Sequence, residues 1–204
     1  MHTFVLVHGA WHGGWCWARV ATRLREAGHE VHAPTLAGMG EHAHLLTRQI
    51  TLDTHVEDVV AYIRIWELSK VVLVGHSYGG LITTGAADRL EGSGAIERMA
   101  YLDAAVPEDG DGWYSFNKPE DVAARRQAAE EAGGLFLPAP DVSAFGIADP
   151  EDRAWVARRL CPHPLGCYLT SLSLPNLAQG KGAASHPRTY IDCVDPFYSD
   201  FNGL

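Results

Sequence analysis

The stretch VVLVGHSYGGL, Val71 to Leu81, decides the fold. Val71 to Val74 are apolar and mostly β-branched, which suits a short buried strand. A helix-compatible stretch begins at Leu81, so Gly75-His76-Ser77-Tyr78-Gly79 must turn from strand to helix within a few residues. Gly75 and Gly79 remove side chains that would collide in so sharp a turn, and Ser77 is left in tight backbone geometry with its hydroxyl exposed. The following helix would place its unpaired N–H groups and its dipole directly behind that hydroxyl, where they favour an oxyanion. A Gly-rich turn with a capping serine is the competing reading, and the flanking strand and helix speak against it.

Working outward from this turn, the chain alternates. Thr3 to Val7 reads as a strand that runs into His8-Gly9-Ala10-Trp11-His12-Gly13-Gly14-Trp15, a loop whose small residues let backbone N–H groups approach a ligand. Trp15 to Ala27 reads as an amphipathic helix with Trp17, Val20, Ala21 and Leu24 on its apolar face, stopped by Gly28. His29 to Pro34 is a second short strand, and Thr35 to Ile50 is loop. Thr51 caps a helix from Leu52 to Leu68, whose buried stripe is Val56, Val59, Val60, Ile63 and Trp66. After the serine turn come a helix over Leu81 to Leu90 and a strand over Ile96 to Leu102. Strands alternating with helices predict an α/β fold with a mostly parallel sheet covered on both faces.

From Pro107 to Lys181 the alternation stops. Helical stretches at Pro119 to Ala132 and Pro150 to Leu160 lie between Pro/Gly-rich loops with no convincing strand, as expected of a helical lid inserted into a single domain spanning 1–204. A last strand, Arg188 to Cys193, is followed by Asp195. The lid carries Trp113, Tyr114, Phe116, Phe136, Phe145 and Trp155, which suit either an apolar substrate pocket or the lid's own packing.

With 204 residues, of which 47% are hydrophobic, the chain can bury one sizeable core but not two. Its net charge of -9, with no Lys/Arg cluster, argues against nucleic acid as a partner. No apolar run approaches a membrane span, and the first strand begins too near Met1 to leave room for a signal peptide, so no membrane association and a cytoplasmic location are expected. Cys16, Cys161, Cys167 and Cys193 lack zinc-knuckle or disulfide-framework spacing and read as reduced thiols. His8 and His12 sit on a glycine loop rather than a helix face, His42 and His44 in a polar loop, and none is expected to bind metal. No cofactor is called for.

In an open parallel sheet, ligands bind at the carboxyl ends of the strands, where Gly9, Ala10, Ser77, Asp103 and Asp195 all fall. A nucleophilic serine needs a base, an acid that orients the base, and two N–H groups for the oxyanion. The N–H groups of Ala10 and Tyr78 are placed for the last of these.

These residues resemble the α/β-hydrolases, and within them the plant methylesterase and hydroxynitrile lyase branch with its bacterial esterase relatives. The resemblance rests on FVLVHGAWHGGWCW at Phe4 to Trp17, VVLVGHSYGG at Val71 to Gly80 and YLDAAVPEDG at Tyr101 to Gly110. It implies a serine hydrolase that cleaves a small-molecule carboxylic ester through an acyl-enzyme on Ser77, with Ala10 and Tyr78 as the oxyanion hole. The acid it implies is Asp195, displaced by about one position from the family's spacing, so Asp103 stays open as the alternative acid. The family histidine lies downstream of the acid after one more strand; no residue here matches it, and the final strand and helix are expected to be missing. His76 and His186 are expected to point away from the site. An uncovered sheet edge leaves a homodimer open. Lyase members carry threonine directly after the first-loop histidine, where this chain has Gly9, which favours the esterase over a C–C lyase. A non-catalytic ligand-binding protein is the alternative of a different class.

Overall fold

The computed structural model describes residues 1–194; Asp195 therefore lies outside the described residues. Among the described residues seven strands form, β1 (Thr3–Val7), β2 (Glu30–His32), β3 (Val71–His76), β4 (Ile96–Leu102), β5 (Phe136–Leu137), β6 (His163–Pro164) and β7 (Arg188–Ile191). Six α-helices accompany them, α1 (Ala18–Glu26), α2 (Leu52–Ile65), α3 (Gly79–Arg89), α4 (Pro119–Glu131), α5 (Pro150–Ala157) and α6 (Leu165–Leu169). The main sheet has the order β2-β1-β3-β4-β7, with every neighbouring pair parallel. From β1 the chain moves one way to β2, then crosses back to lay β3 on the other side of β1. That reversal opens a crevice at the carboxyl ends of β1 and β3, the place where open parallel sheets bind ligands.

Period-two alternation along the strands sends side chains to opposite faces. Val5, Val7, Leu73, Met99 and Tyr101 enter the large core that α2 and α3 share. Leu6 and Val31 join Trp17 and Ala21 in a smaller cluster on the opposite face, with Phe4, Val74 and Leu102 half-buried against it. Helices on both faces of a mostly parallel sheet are thus the observed architecture.

α2 begins as its sequence predicts: Thr51 N–H donates to Thr54 Oγ1 at 3.1 Å, and Val56, Val59, Val60 and Ile63 are buried. Trp66, expected in the same stripe, is instead 60% exposed. The helix ends at Ile65 and Glu67 takes a left-handed φ of 51°, so the helical phase is lost and Trp66 stacks on Tyr62. α1 starts at Ala18, after a 3-10 turn over Gly14–Trp17, and its inward stripe is narrower than expected. Trp17 and Ala21 are buried, while Val20 faces solvent.

α3 is buried from Gly79 to Asp88, on both its sheet side and its outer side. Such packing requires close backbone approach, and glycine supplies it. A Cβ on Gly80 would lie 2.1 Å from the Ala105 carbonyl oxygen, and one on Gly75 2.7 Å from that of Gly79. Arg89 near the end of α3 pairs with Asp53 and Glu57 of α2, holding the two helices together at the surface.

The segment 107–181 differs from its sequence-based reading in having a third helix, α6, and a short pair of strands: β5 and β6 pair antiparallel, Phe136 with Pro164 and Leu137 with His163. Each strand is two residues long and one contains proline, so no alternation was available to mark it. The segment packs onto the first loop and the serine turn through aromatic edges. Trp113 meets Trp11 and Tyr78 at 5.3 and 5.2 Å between ring centroids, Phe145 meets His12 at 5.1 Å, and Trp155 meets Trp15 at 5.0 Å. Arg19 of α1 and Asp152 of α5 form an ion pair that fastens the same segment from outside.

Candidate active site

Ser77 has φ of 53°, a left-handed conformation that costs a residue with a Cβ energy. The surrounding backbone imposes it. Ser77 N–H donates to the Leu102 carbonyl at 3.2 Å, and the Ser77 carbonyl accepts from Gly80 N–H at 3.0 Å and Ala105 N–H at 3.2 Å. The end of β4 therefore clasps the turn after β3. Gly79 seats the start of α3 on the end of β1, since a Cβ there would lie 2.7 Å from the Val7 oxygen and 2.9 Å from the His8 oxygen.

The first loop lies directly against the serine. A Cβ on Gly9 would sit 3.1 Å from Ser77 Cβ and 3.0 Å from His76 Nδ1. Next to Gly9, Ala10 is 4% exposed, and Tyr78 is fully buried. Among the described residues the backbone N–H groups of Ala10 and Tyr78 have no hydrogen-bond partner, and neither has the Ser77 hydroxyl. Trp11 holds a φ of 61°, and its carbonyl accepts from Cys161 N–H at 3.0 Å, which braces the loop from the inserted segment.

Asp103, half-buried at the end of β4, is a second strained residue, with φ of 43°; its N–H donates to the Ile191 carbonyl at 2.9 Å. Burial, and then the neighbouring Asp192, push its carboxyl above the usual range, while a backbone N–H at Cys193 opposes them. Asp195, the other candidate acid, lies outside the described residues.

All eleven histidines are described, and among the described residues none hydrogen-bonds to Ser77. His8 is fully buried and accepts from Leu36 N–H at its Nε2, 3.1 Å, which leaves Nδ1–H to donate to the Gly9 carbonyl at 2.8 Å. Desolvation pushes its pKa down to about 3, so it is a neutral strut between the first two strand-end loops. His12 bonds the Ala10 carbonyl through Nδ1 at 2.7 Å and stacks on Trp15. His76 packs edge-on to Trp17, its pKa lowered to about 4 by burial and by His12. His186 precedes β7, at the entering end of the sheet.

Three groups beside the site gave no signal in the sequence. His55 joins Tyr78, with Tyr78 O–H donating to Nδ1 at 3.0 Å while Nε2–H donates to the Ala37 carbonyl at 2.8 Å. His163 packs its ring 4.7 Å from that of Tyr78. Arg125 of α4 lays its guanidinium 5.3 Å from the Trp113 centroid and 5.8 Å from that of Trp11, with N–H donating to Asn117 Oδ1 at 2.7 Å. Each comes from a segment distant in sequence, with no motif around it.

A strained serine between a parallel strand and a buried helix, faced by a glycine loop at a switch point of the sheet, defines an α/β-hydrolase elbow. The alpha/beta hydrolase family model matches residues 4–197. The carbendazim hydrolyzing esterase of Nocardioides sp. (strain SG-4G) is 44% identical over 207 residues, 96% of this chain and 82% of that protein. Methylesterase 10 of Arabidopsis thaliana is 41% identical over 90 residues, 44% of this chain and 33% of that protein. Among solved structures, an extracellular alpha/beta-hydrolase from a Paenibacillus species superposes with a TM-score of 0.82 at 25% identity, over 93% of this chain and 76% of its own. The chain belongs to the alpha/beta hydrolase family. Within it, the chain stands in the branch of the plant methylesterases and their bacterial esterase relatives, as a carboxylic ester hydrolase.

Proposed function

We propose that the chain hydrolyses a small-molecule carboxylic ester through an acyl-enzyme on Ser77. The observation that carries this reading is the Ser77 turn itself: a strained serine clasped by Leu102 and Ala105 at the start of α3, with Gly9 against its Cβ. Ser77 Oγ attacks the ester carbonyl and gives its proton to a histidine base. The carbonyl oxygen, now an anion, takes the N–H groups of Ala10 and Tyr78, aided by the positive end of α3. Collapse expels the alcohol, which takes the proton from the base, and water then releases the acid by the same steps in reverse.

None of the described histidines hydrogen-bonds to Ser77, so this reading takes its base from outside the described residues. Asp195 is the favoured acid and Asp103 the alternative. The segment 107–181 serves as a lid, its aromatic edges already seated on the first loop and on Tyr78. Gly9 leaves open the approach of an ester carbonyl to Ala10 N–H and supplies no hydroxyl for lyase chemistry. Four free thiols fit a reducing compartment such as the cytoplasm. Among the described residues no helix is long and apolar enough to cross a membrane.

A fluorophosphonate probe tests the reading. Ser77 should be labelled and Ser77→Ala should not, with turnover of p-nitrophenyl acetate and of carbendazim, the compound named for the Nocardioides relative, lost in the same variant. Expression with and without any continuing reading frame shows which chain supplies the base. Full turnover by a folded Ser77→Ala protein would end the assignment.

A further inference from the structure

Around Tyr78, side chains from α2 and from the inserted segment converge in the core. His55 comes from α2, His163 from β6 and Cys167 from α6, and all three are 0% exposed. Their donor atoms lie within 4.8 Å of one another. Cys167 Sγ is 3.6 Å from His55 Nδ1. Both ring nitrogens of His163 are buried without a hydrogen-bond partner among the described residues. Tyr78, Trp113 and Trp11 surround its ring, at 4.7, 5.0 and 6.4 Å between centroids. A buried polar group left unpaired is costly, and the imidazole has two such atoms. Such a group persists where something completes it.

We propose that His55, His163 and Cys167 form a binding site for a thiophilic d10 cation, with monovalent copper as the ion it suits. Two imidazoles and one thiolate make a soft donor set. Metal–nitrogen and metal–sulfur bonds of about 2.0–2.3 Å place trigonal ligand atoms on the order of 3.7 Å apart, so a contraction of about 1 Å or less closes the site. Charge selects the ion. Cu(I) with one thiolate is neutral and can stay in an aromatic box, whereas Zn(II) would leave a net positive charge there. On binding, Cys167 loses its thiol proton to solvent, one Cu–S and two Cu–N bonds form, and His55 Nδ1 exchanges the Tyr78 hydroxyl for the ion. No oxidation is involved. The ligands span α2 and the inserted segment, so the ion staples that segment to the core beside the serine turn. The two spacers between these three residues follow no metal motif, so the sequence alone gives no metal signal here.

The proposal stands independently of the esterase reading. Anaerobic titration of the full protein with Cu(I) against a chromogenic chelator should show one equivalent retained per chain and a rise in Tm. Cys167→Ser and His163→Phe, the latter keeping the aromatic box filled, should each weaken retention more than ~100-fold, beyond the 10–100-fold that outer-shell partners cost. Cys193→Ser, at an exposed position, should retain the ion. Copper K-edge absorption of the wild-type complex should report two nitrogens and one sulfur, a readout that needs no variant to fold. Absence of retained copper, retention unaffected by either variant, or a first shell without sulfur would overturn the site. Selective uptake of zinc would overturn the choice of ion.

Discussion

Gly9→Thr puts the placement of the first loop under direct test. A Cβ at Gly9 lies 3.1 Å from Ser77 Cβ and 3.0 Å from His76 Nδ1, inside ordinary carbon contact distance. Alanine alone asks the neighbours to yield by a few tenths of an ångström. Threonine adds two further heavy atoms on the same carbon, with a stiff χ1. Overpacking of this kind costs about 1–3 kcal/mol, and here the yielding partners are the serine turn and the loop carrying Ala10 N–H. Loss of one oxyanion donor costs ~10²–10³ in kcat, and a shift of about 1 Å in a reacting group costs ~10²-fold. We therefore expect kcat/KM for p-nitrophenyl acetate to fall on the order of 10² in Gly9→Thr, and far less in Gly9→Ala, with Tm lowered only modestly. The measurement is steady-state hydrolysis with fluorophosphonate labelling as a count of competent Ser77. Unchanged kcat/KM in a folded Gly9→Thr protein would show that the loop does not border the reacting carbonyl.

Three further outcomes follow from named contacts. Gly80→Ala drives a Cβ to 2.1 Å from a backbone oxygen that no rotamer can relieve, so Tm should fall by several degrees, at about 2–4 °C per kcal/mol for a chain of this size, and an unchanged melt would contradict the packing of α3 against Ala105. Asp195→Asn should cost on the order of 10⁴ in kcat if it orients the base, whereas a loss of that size at Asp103→Asn alone would move the acid to the end of β4. His8 and His55 are held neutral by burial, with pKa values lowered to about 3 and about 4 from 6.5. The unfolded chain therefore binds more protons than the native one below 6.5. Their contribution is complete above pH 6.5 and is lost as pH falls towards those folded values, on the order of 1.4 kcal/mol per pH unit for each group. Urea midpoints that stay flat from pH 7 to pH 5 would refute it.

The serine turn was legible because it is local. A β-branched run, two glycines at fixed offsets and a helix-forming stretch leave the backbone few options at the turn, and the end of β4 then holds Ser77 in its strained φ. The parallel sheet was legible for the same reason, since the alternation of periods two and 3.6 is written residue by residue. The stripe of α2 shows the limit: its register holds to Ile63, but Trp66 falls outside because the helix ends earlier than the apolar pattern does.

Tertiary structure alone decided what lies beside the turn. Gly9 against Ser77, Ala105 clasping its carbonyl, and Trp113, Arg125 and His163 gathered near Trp11 and Tyr78 join segments separated by tens of residues. His163 and Cys167 lie four residues apart, but nothing along the chain marks His55 as their partner. Their meeting is set by how the inserted segment packs over α2 and the end of the sheet, and side-chain packing between distant segments leaves no periodicity in the sequence to read.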